Sequence, residues 1–117
     1  MNLFVYGTLM DQRVMMRVIG RRLPPAAPAT LYGYRKWETT FGYPAIFPEP
    51  GHSCRGLVYS GLTEEDLQRL DRYEDADGSP PAYIRRLVTV HGAHGRINAY
   101  VYVGNMAFFR ARLKKSN

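Results

Sequence analysis

Two places in this sequence carry residues that could do chemistry where local structure would hold them. The first is Glu74. Projected at about 100° per residue, the segment 63–74 puts Leu67 and Leu70 on a core-facing stripe, and Glu74, seven residues after the first and four after the second, falls between them. Glu64, Asp71 and Asp75 gather on one flank, Glu65 lies near the opposite face and Asp66 sits in the first turn, so Glu74 is the acid of this segment that points inward. A carboxyl on an apolar stripe loses hydration. That disfavours its charged form and lifts its pKa toward neutrality, where it can take a proton and give it back. The alternative is that Glu74, in the last turn, reaches out to water or pairs with Arg85 or Arg86. The second place is the turn Tyr6-Gly7-Thr8-Leu9. A glycine turn leading into a helix can present main-chain N–H groups around a concavity, beside the positive end of the helix dipole, and would suit a small carboxylate. The alternative is a tight turn that needs Gly for its backbone angles. No phosphate-loop lysine accompanies it, so it is not a mononucleotide loop.

Other candidates carry less. Cys54 is the one cysteine, so no internal disulfide and no thiolate metal site is expected, and it reads as a small strand residue rather than a nucleophile. His91 and His94 lie three apart in a turn with no third ligand nearby, which argues for a solvated loop and against a metal. Thr8 and Ser53 lack the surroundings of a nucleophile elbow. Tyr73, Tyr83, Tyr100 and Tyr102 read as half-buried packing, although Tyr100 and Tyr102 share a strand face and could reach one cavity.

The elements that must position these groups follow from the pattern. Residues 2–6 are a short apolar strand. Asp11 caps a helix with Met10 and Met15 as its staple and Val14, Met15, Val18 and Ile19 as its stripe, and Gly20 ends it. After the Pro24, Pro25 and Pro28 connection, 29–38 reads as a strand, 43–48 as a short proline-bounded edge strand, and 54–60 as a further strand returning after a turn at Gly51. Thr63 with Asp66 caps the second helix, and 77–81 stops it. Residues 83–90 and 97–103 pair as a hairpin through 91–96. About six strands and two helices without regular alternation predict an α+β domain with a mixed or antiparallel sheet, and closure into a barrel would remove exposed edges.

A chain of 117 residues supports one core, not two. The domain is therefore expected to occupy 1–117, with 107–117 a flexible basic tail containing Arg110, Arg112, Lys114 and Lys115. With 45% hydrophobic and 22% charged residues it is an ordinary globular composition, and no stretch is long and apolar enough to span a bilayer. The opening residues lack the features of a signal peptide and read as a strand, which places the protein in the cytoplasm. The balance of 16 basic to 10 acidic residues, +6, attracts anions, but the charges are scattered and lack the basic-aromatic strand motif of a nucleic-acid binder, so nucleic acid is not the expected partner.

Taken together these residues resemble the γ-glutamylcyclotransferase-like family, also called AIG2-like or BtrG-like. The resemblance is carried by Phe4-Val5-Tyr6-Gly7-Thr8-Leu9, Tyr43-Pro44-Ala45-Ile46, Arg55-Gly56-Leu57-Val58-Tyr59, Leu70-Asp71-Arg72-Tyr73-Glu74, Tyr83-Ile84-Arg85-Arg86 and Ala99-Tyr100-Val101-Tyr102-Val103, in order along nearly the whole chain. It implies a small mixed β-barrel with flanking helices. It also implies a loop, Tyr6 to Leu9, that cradles the α-amino and α-carboxylate end of a glutamyl group, with Glu74 as acid/base and Tyr83 and Tyr102 as further pocket positions. The implied reaction is cofactor-independent cyclisation of a γ-glutamyl amine or amino acid to 5-oxoproline with release of the amine. Two alternatives stay open: action on ε-(γ-glutamyl)lysine, and a non-catalytic barrel that binds a small anion or nucleic acid. In one respect the chain departs from the family. Many relatives have Gly after the Glu, where this chain has Asp75-Ala76, which bears on how the helix ends and where Glu74 is aimed.

Overall fold

The computed structural model describes residues 1–114. Its elements run β1 (Leu3–Val5), a 3-10 turn (Thr8–Met10), α1 (Gln12–Ile19), β2 (Ala27–Trp37), β3 (Ala45–Tyr59), α2 (Glu64–Tyr73), β4 (Tyr83–Gly92), β5 (Gly95–Gly104) and α3 (Met106–Phe109). The strands close into a barrel in the order β1-β3-β2-β4-β5. All neighbours are antiparallel except β1 and β5, which meet in parallel at Leu3 and Tyr100. The sheet is therefore mixed and closed, as the sequence suggests.

Alternation along the strands divides the core in two. Phe4, Leu31, Ile46, Val58, Val90, Val101 and Val103 fill the barrel interior together with Cys54. Leu3, Val5, Ala45, Phe47, Tyr59 and Tyr102 face outward, against Met15 and Ile19 of α1, Leu67 and Leu70 of α2, and Phe109. A five-stranded barrel is too narrow to hold a ligand once its side chains are in place. The site must lie outside it, where the helices and loops lean on the wall.

Both main helices are capped as their sequences require. The Asp11 side chain accepts from Arg13 N, and Gly20 ends α1 at φ 76°. Thr63 and Asp66 form a reciprocal capping box on α2, and Arg21 donates to Asp66 at 2.6 Å, tying the two helices.

Three expectations are corrected. The strands read at 43–48 and 54–60 are not separate elements around a Gly51 turn but fall in one strand, β3, whose first part (45–48) pairs with β2 and whose last residues (57–59) pair with β1, 57 and 58 with β2 as well. Between Tyr32 and Tyr34 the register jumps from Ser53 to Pro48, so Gly51, at φ 86°, sits in a bulge. The prolines at 48 and 50 lack N–H groups, and such residues are accommodated at a bulge without breaking the ladder. The hairpin is longer than expected, with Gly92 opposite Gly95 and only Ala93 and His94 in the turn. The segment read as a tail is built in as far as it is described: Phe109 is fully buried against Phe47 and Tyr83, Leu113 bridges Thr39, and Lys114 N donates to Glu38 O. Lys115 and the last two residues lie outside the described residues.

Barrel closure leaves no room at Gly56, whose Cβ would lie 2.2 Å from Val5 O and 2.8 Å from Phe4 Cζ. Gly56→Ala is expected to push β1 off β3 and cost on the order of 3 kcal/mol, seen as a lower denaturation midpoint at an unchanged denaturant slope.

Candidate active site

A cavity of about 280 Å³ opens where β1 runs into the 3-10 turn. Phe4, Val5, Tyr6 and Leu9 form its floor with Ala82, Tyr83 and Tyr102, all buried, while Thr8, Tyr43, Tyr73 and Asp75 stand at its exposed rim. Gly7, Pro44 and Glu74 lie between floor and rim, partly buried. All seven residues singled out from the sequence, Tyr6, Gly7, Thr8, Leu9, Glu74, Tyr83 and Tyr102, line it.

Glu74 is not inside α2, as the sequence reading had it, but caps its C-terminus. Its N–H still reaches Leu70 O at 2.8 Å, so the side chain keeps the helical azimuth that aims it inward. The helix then closes in a Schellman turn: Asp75 N donates to Arg72 O at 3.2 Å and Ala76 N to Asp71 O at 2.8 Å. This requires a left-handed residue at 75, and Asp75 supplies it at φ 55°. Aspartate is one of the few side-chain-bearing residues that tolerates this region. The substitution of Asp for Gly at this position thus leaves the helix end intact. Burial pushes the Glu74 carboxyl up from its ordinary value to about 7. Neither Arg85 nor Arg86 pairs with it: Arg85 binds Asp71 through Nε and a terminal nitrogen at 2.9 and 3.1 Å and lies 3.7 Å from Glu64.

The wall opposite is fixed by phenols. Tyr59 donates to Leu9 O at 2.9 Å, pinning the 3-10 turn. That turn opens with Met10 N bonded to Gly7 O, so the N–H groups ahead of Met10 stand outside its ladder. Gly7 packs on Pro44, to whose ring a Cβ would approach within 3.2 Å, and Pro44 O accepts from Tyr83 at 2.7 Å. Tyr6 donates to Tyr102 O, while the Tyr102 hydroxyl donates to Asp71 at 2.7 Å. Burial, reinforced by the charge of Glu74, raises the pKa of Tyr6 and Tyr83. Tyr102 is raised by burial and then by its bond to Asp71. These phenols therefore stay protonated donors when Glu74 ionises. Thr8 Oγ1 and the Tyr73 hydroxyl, 3.3 Å apart, link the loop to the end of α2 across the rim.

Tyr100 and Tyr102 do not share the cavity. Tyr100 lies beneath the Arg85 guanidinium, 5.0 Å from its ring centroid, in a separate shallow depression. Cys54 is buried inside the barrel and burial raises its thiol pKa, the opposite of an activated nucleophile. Among the described residues no cluster of His, Cys, Asp or Glu could hold a metal ion, and no helix is long and apolar enough to cross a membrane. Tyr43, Tyr73 and Asp75 went unrecognised as rim residues. Tyr73 and Asp75 flank Glu74, and a helix ending there brings its neighbours to the same opening.

Because the folded pKa of Glu74 lies above that of an unfolded glutamate, the native state holds the extra proton between about 4.5 and 7. Stability escapes the burial cost below about 4.5 and takes it on progressively as pH rises from there through 7, up to about 3 kcal/mol. Glu74→Gln is expected to raise the melting temperature at pH 8 and leave it nearly unchanged at pH 4.5, as read by thermal denaturation at both pH values.

A family model described as "Gamma-glutamyl cyclotransferase, AIG2-like" matches residues 3–116. The chain is 32% identical over 104 residues to a Methanocaldococcus jannaschii protein described as a gamma-glutamylcyclotransferase and putative RNase, with 87% of this chain and 45% of that protein covered. It is 36% identical over 77 residues to AIG2-like protein D of Arabidopsis thaliana, covering 65% of this chain and 50% of the relative. A solution structure of an Arabidopsis thaliana protein superposes with TM-score 0.80 at 25% identity, over 99% of this chain and 76% of that one. The chain spans about half the length of the curated relatives it matches.

Proposed function

The chain belongs to the gamma-glutamyl cyclotransferase, AIG2-like family, and from that premise we propose that its cavity folds a γ-glutamyl amine or amino acid onto itself and releases 5-oxoproline, with Glu74 as acid and base. The observation that carries the reading is Glu74. It is a carboxyl brought to about 7 by burial, beside a main-chain turn and among phenols that do not titrate near neutrality.

The glutamyl α-carboxylate sits against the N–H groups of the Gly7 turn, where main-chain dipoles replace its water. The α-ammonium faces Glu74. The Glu74 carboxylate removes one proton, and the freed amine nitrogen attacks the substrate's γ-carbonyl carbon to close a five-membered ring. Glu74 returns that proton to the outgoing nitrogen as its bond to carbon breaks, and the second proton of the ring nitrogen passes to the released amine, leaving a neutral lactam and an ammonium ion. Nucleophile and electrophile belong to one molecule, so the entropic cost of bringing them together is met by holding one conformer. A base whose pKa lies near working pH serves both proton transfers. The cavity volume fits this division of labour. At about 280 Å³ it lies at the small end of ligand sites, roughly 300–1,000 Å³, and holds a glutamyl group while leaving the rest of the amine at the rim.

Incubation with a panel of γ-glutamyl amines and amino acids, including ε-(γ-glutamyl)lysine, is expected to yield 5-oxoproline by mass spectrometry. Glu74→Gln should lower kcat/KM by roughly 10²–10⁴-fold while the fold, read by circular dichroism, persists. The pH dependence has a defined sign: the carboxylate is the base, so kcat/KM of the wild type should rise with pH and level off above about 7. Full turnover by the Gln variant would remove Glu74 from the mechanism.

A further inference from the structure

We propose that Asp75 selects the outgoing amine by charge, favouring γ-glutamyl conjugates of amines that carry a second positive charge, such as diamines and polyamines, over those ending in a free carboxylate. The inference rests on the cyclotransferase reading above and concerns the half of the substrate that the reading leaves open.

The argument starts from the inventory of the cavity. Among the described residues its lining contains two carboxyls, Glu74 and Asp75, and no arginine, lysine or histidine. For a chain with a +6 balance that is an unexpected local sign. Of the cations near the end of α2, Arg85 is engaged with Asp71 and Glu64 and Arg69 with Ile19 O, and Arg72, in the last turn, is exposed and does not line the cavity. The glutamyl half of any substrate brings one carboxylate and one ammonium, and the Gly7 turn and Glu74 answer these. Among the described residues of the lining no cation answers a second carboxylate.

Position decides which of the two acids meets the amine. Glu74 is partly buried and faces inward, whereas Asp75 is exposed at the rim. Its backbone leaves little freedom, since φ 55° is imposed by the Schellman turn and the chain behind it returns through Ala82 N to Asp75 O at 2.9 Å. Its carboxyl lies over Gly78, where a Cβ would come within 2.5 Å of Oδ1. The backbone that carries the carboxylate is thus fixed by a closed turn at the rim of the cavity. Two aromatic side chains, Tyr43 and Tyr73, stand at the same rim, 37% and 47% exposed, and the Tyr43 phenol is raised by burial and by the charges of Glu74 and Asp75. An ammonium group gains from both a carboxylate and aromatic faces, and a carboxylate gains from neither.

The test uses three conjugates with four-carbon amines, γ-glutamyl-1,4-diaminobutane, γ-glutamyl-butylamine and γ-glutamyl-4-aminobutyrate, which present a cation, a methyl and an anion at the rim. In wild type, kcat/KM for 5-oxoproline release is expected to fall in that order, with cation over anion by roughly tenfold at low salt, a rim-type interaction, and the gap narrowing as salt is added. In Asp75→Asn, whose amide tolerates the same backbone region, the gap should shrink to within about threefold. Equal rates on the three conjugates, a preference for the anion, or an unchanged gap in Asp75→Asn would overturn the proposal. Calorimetric binding to Glu74→Gln separates this from failure of the cyclotransferase reading. If no conjugate is turned over but the cation still binds tightest, the selection by charge stands alone. If the three bind alike or not at all, it falls.

Discussion

The site depends on one closure, the turn that ends α2. A carboxyl whose pKa is near 7 has lost much of its water, and it would regain it by any motion that swung the side chain outward. The N–H groups of Glu74, Asp75 and Ala76 are each bonded back to the last turn of the helix, and the opposite end is fixed by a capping box that Arg21 reinforces from beside α1. Leu67 and Leu70, fully buried, hold the helix on the barrel wall. The cost of a non-glycine residue at φ 55°, about 1–2 kcal/mol, sits next to the group whose placement it secures.

Around that closure the polar contacts form a lattice of tyrosines. Each phenol belongs to one element and donates to another: Tyr59 of β3 to the 3-10 turn, Tyr83 of β4 to the residue before β3, Tyr102 of β5 to α2, Tyr6 beyond β1 to β5. Neutral phenols cross-link strands and loops without bringing charge into the cavity. Glu74 can then titrate among donors that do not change their own protonation, and its ionisation is governed by solvent exclusion more than by a partner ion.

How much of this was legible in the sequence follows the range of the interactions. That Glu74 faces inward and that the Gly7 turn borders a concavity was legible because both signals are local: a helical period that survives one residue past the helix, and a glycine between strand and helix. The capping residues Asp11, Thr63 and Asp66 were read correctly for the same reason. The bulge in β3 was misread as a turn, since Gly51 just after Pro48 and Pro50 looks alike in either setting and only pairing along β2 on both sides of it reveals the continuous strand. Tyr100 and Tyr102 do share a strand face, but their fates diverge because Arg85, fifteen residues from Tyr100 in sequence, stacks on one of them. Phe109 was lost in a basic segment because its anchors, Phe47 and Tyr83, are distant in the chain. The role of Asp75 was visible only as an anomaly, and its backbone angle gives that anomaly a physical meaning.

The meeting of β1 and β5 is the thinnest join in the barrel, a single parallel register pair at Leu3 and Tyr100 supplemented by Tyr100 N to Asn2 O and by the Tyr6 phenol on Tyr102 O. Tyr6 and Tyr102 are also two walls of the cavity. A molecule lodged between them would span the suture, so filling the cavity and keeping the barrel shut become one equilibrium. The empty protein should breathe most readily along that line, and an occupied cavity should hold the suture closed.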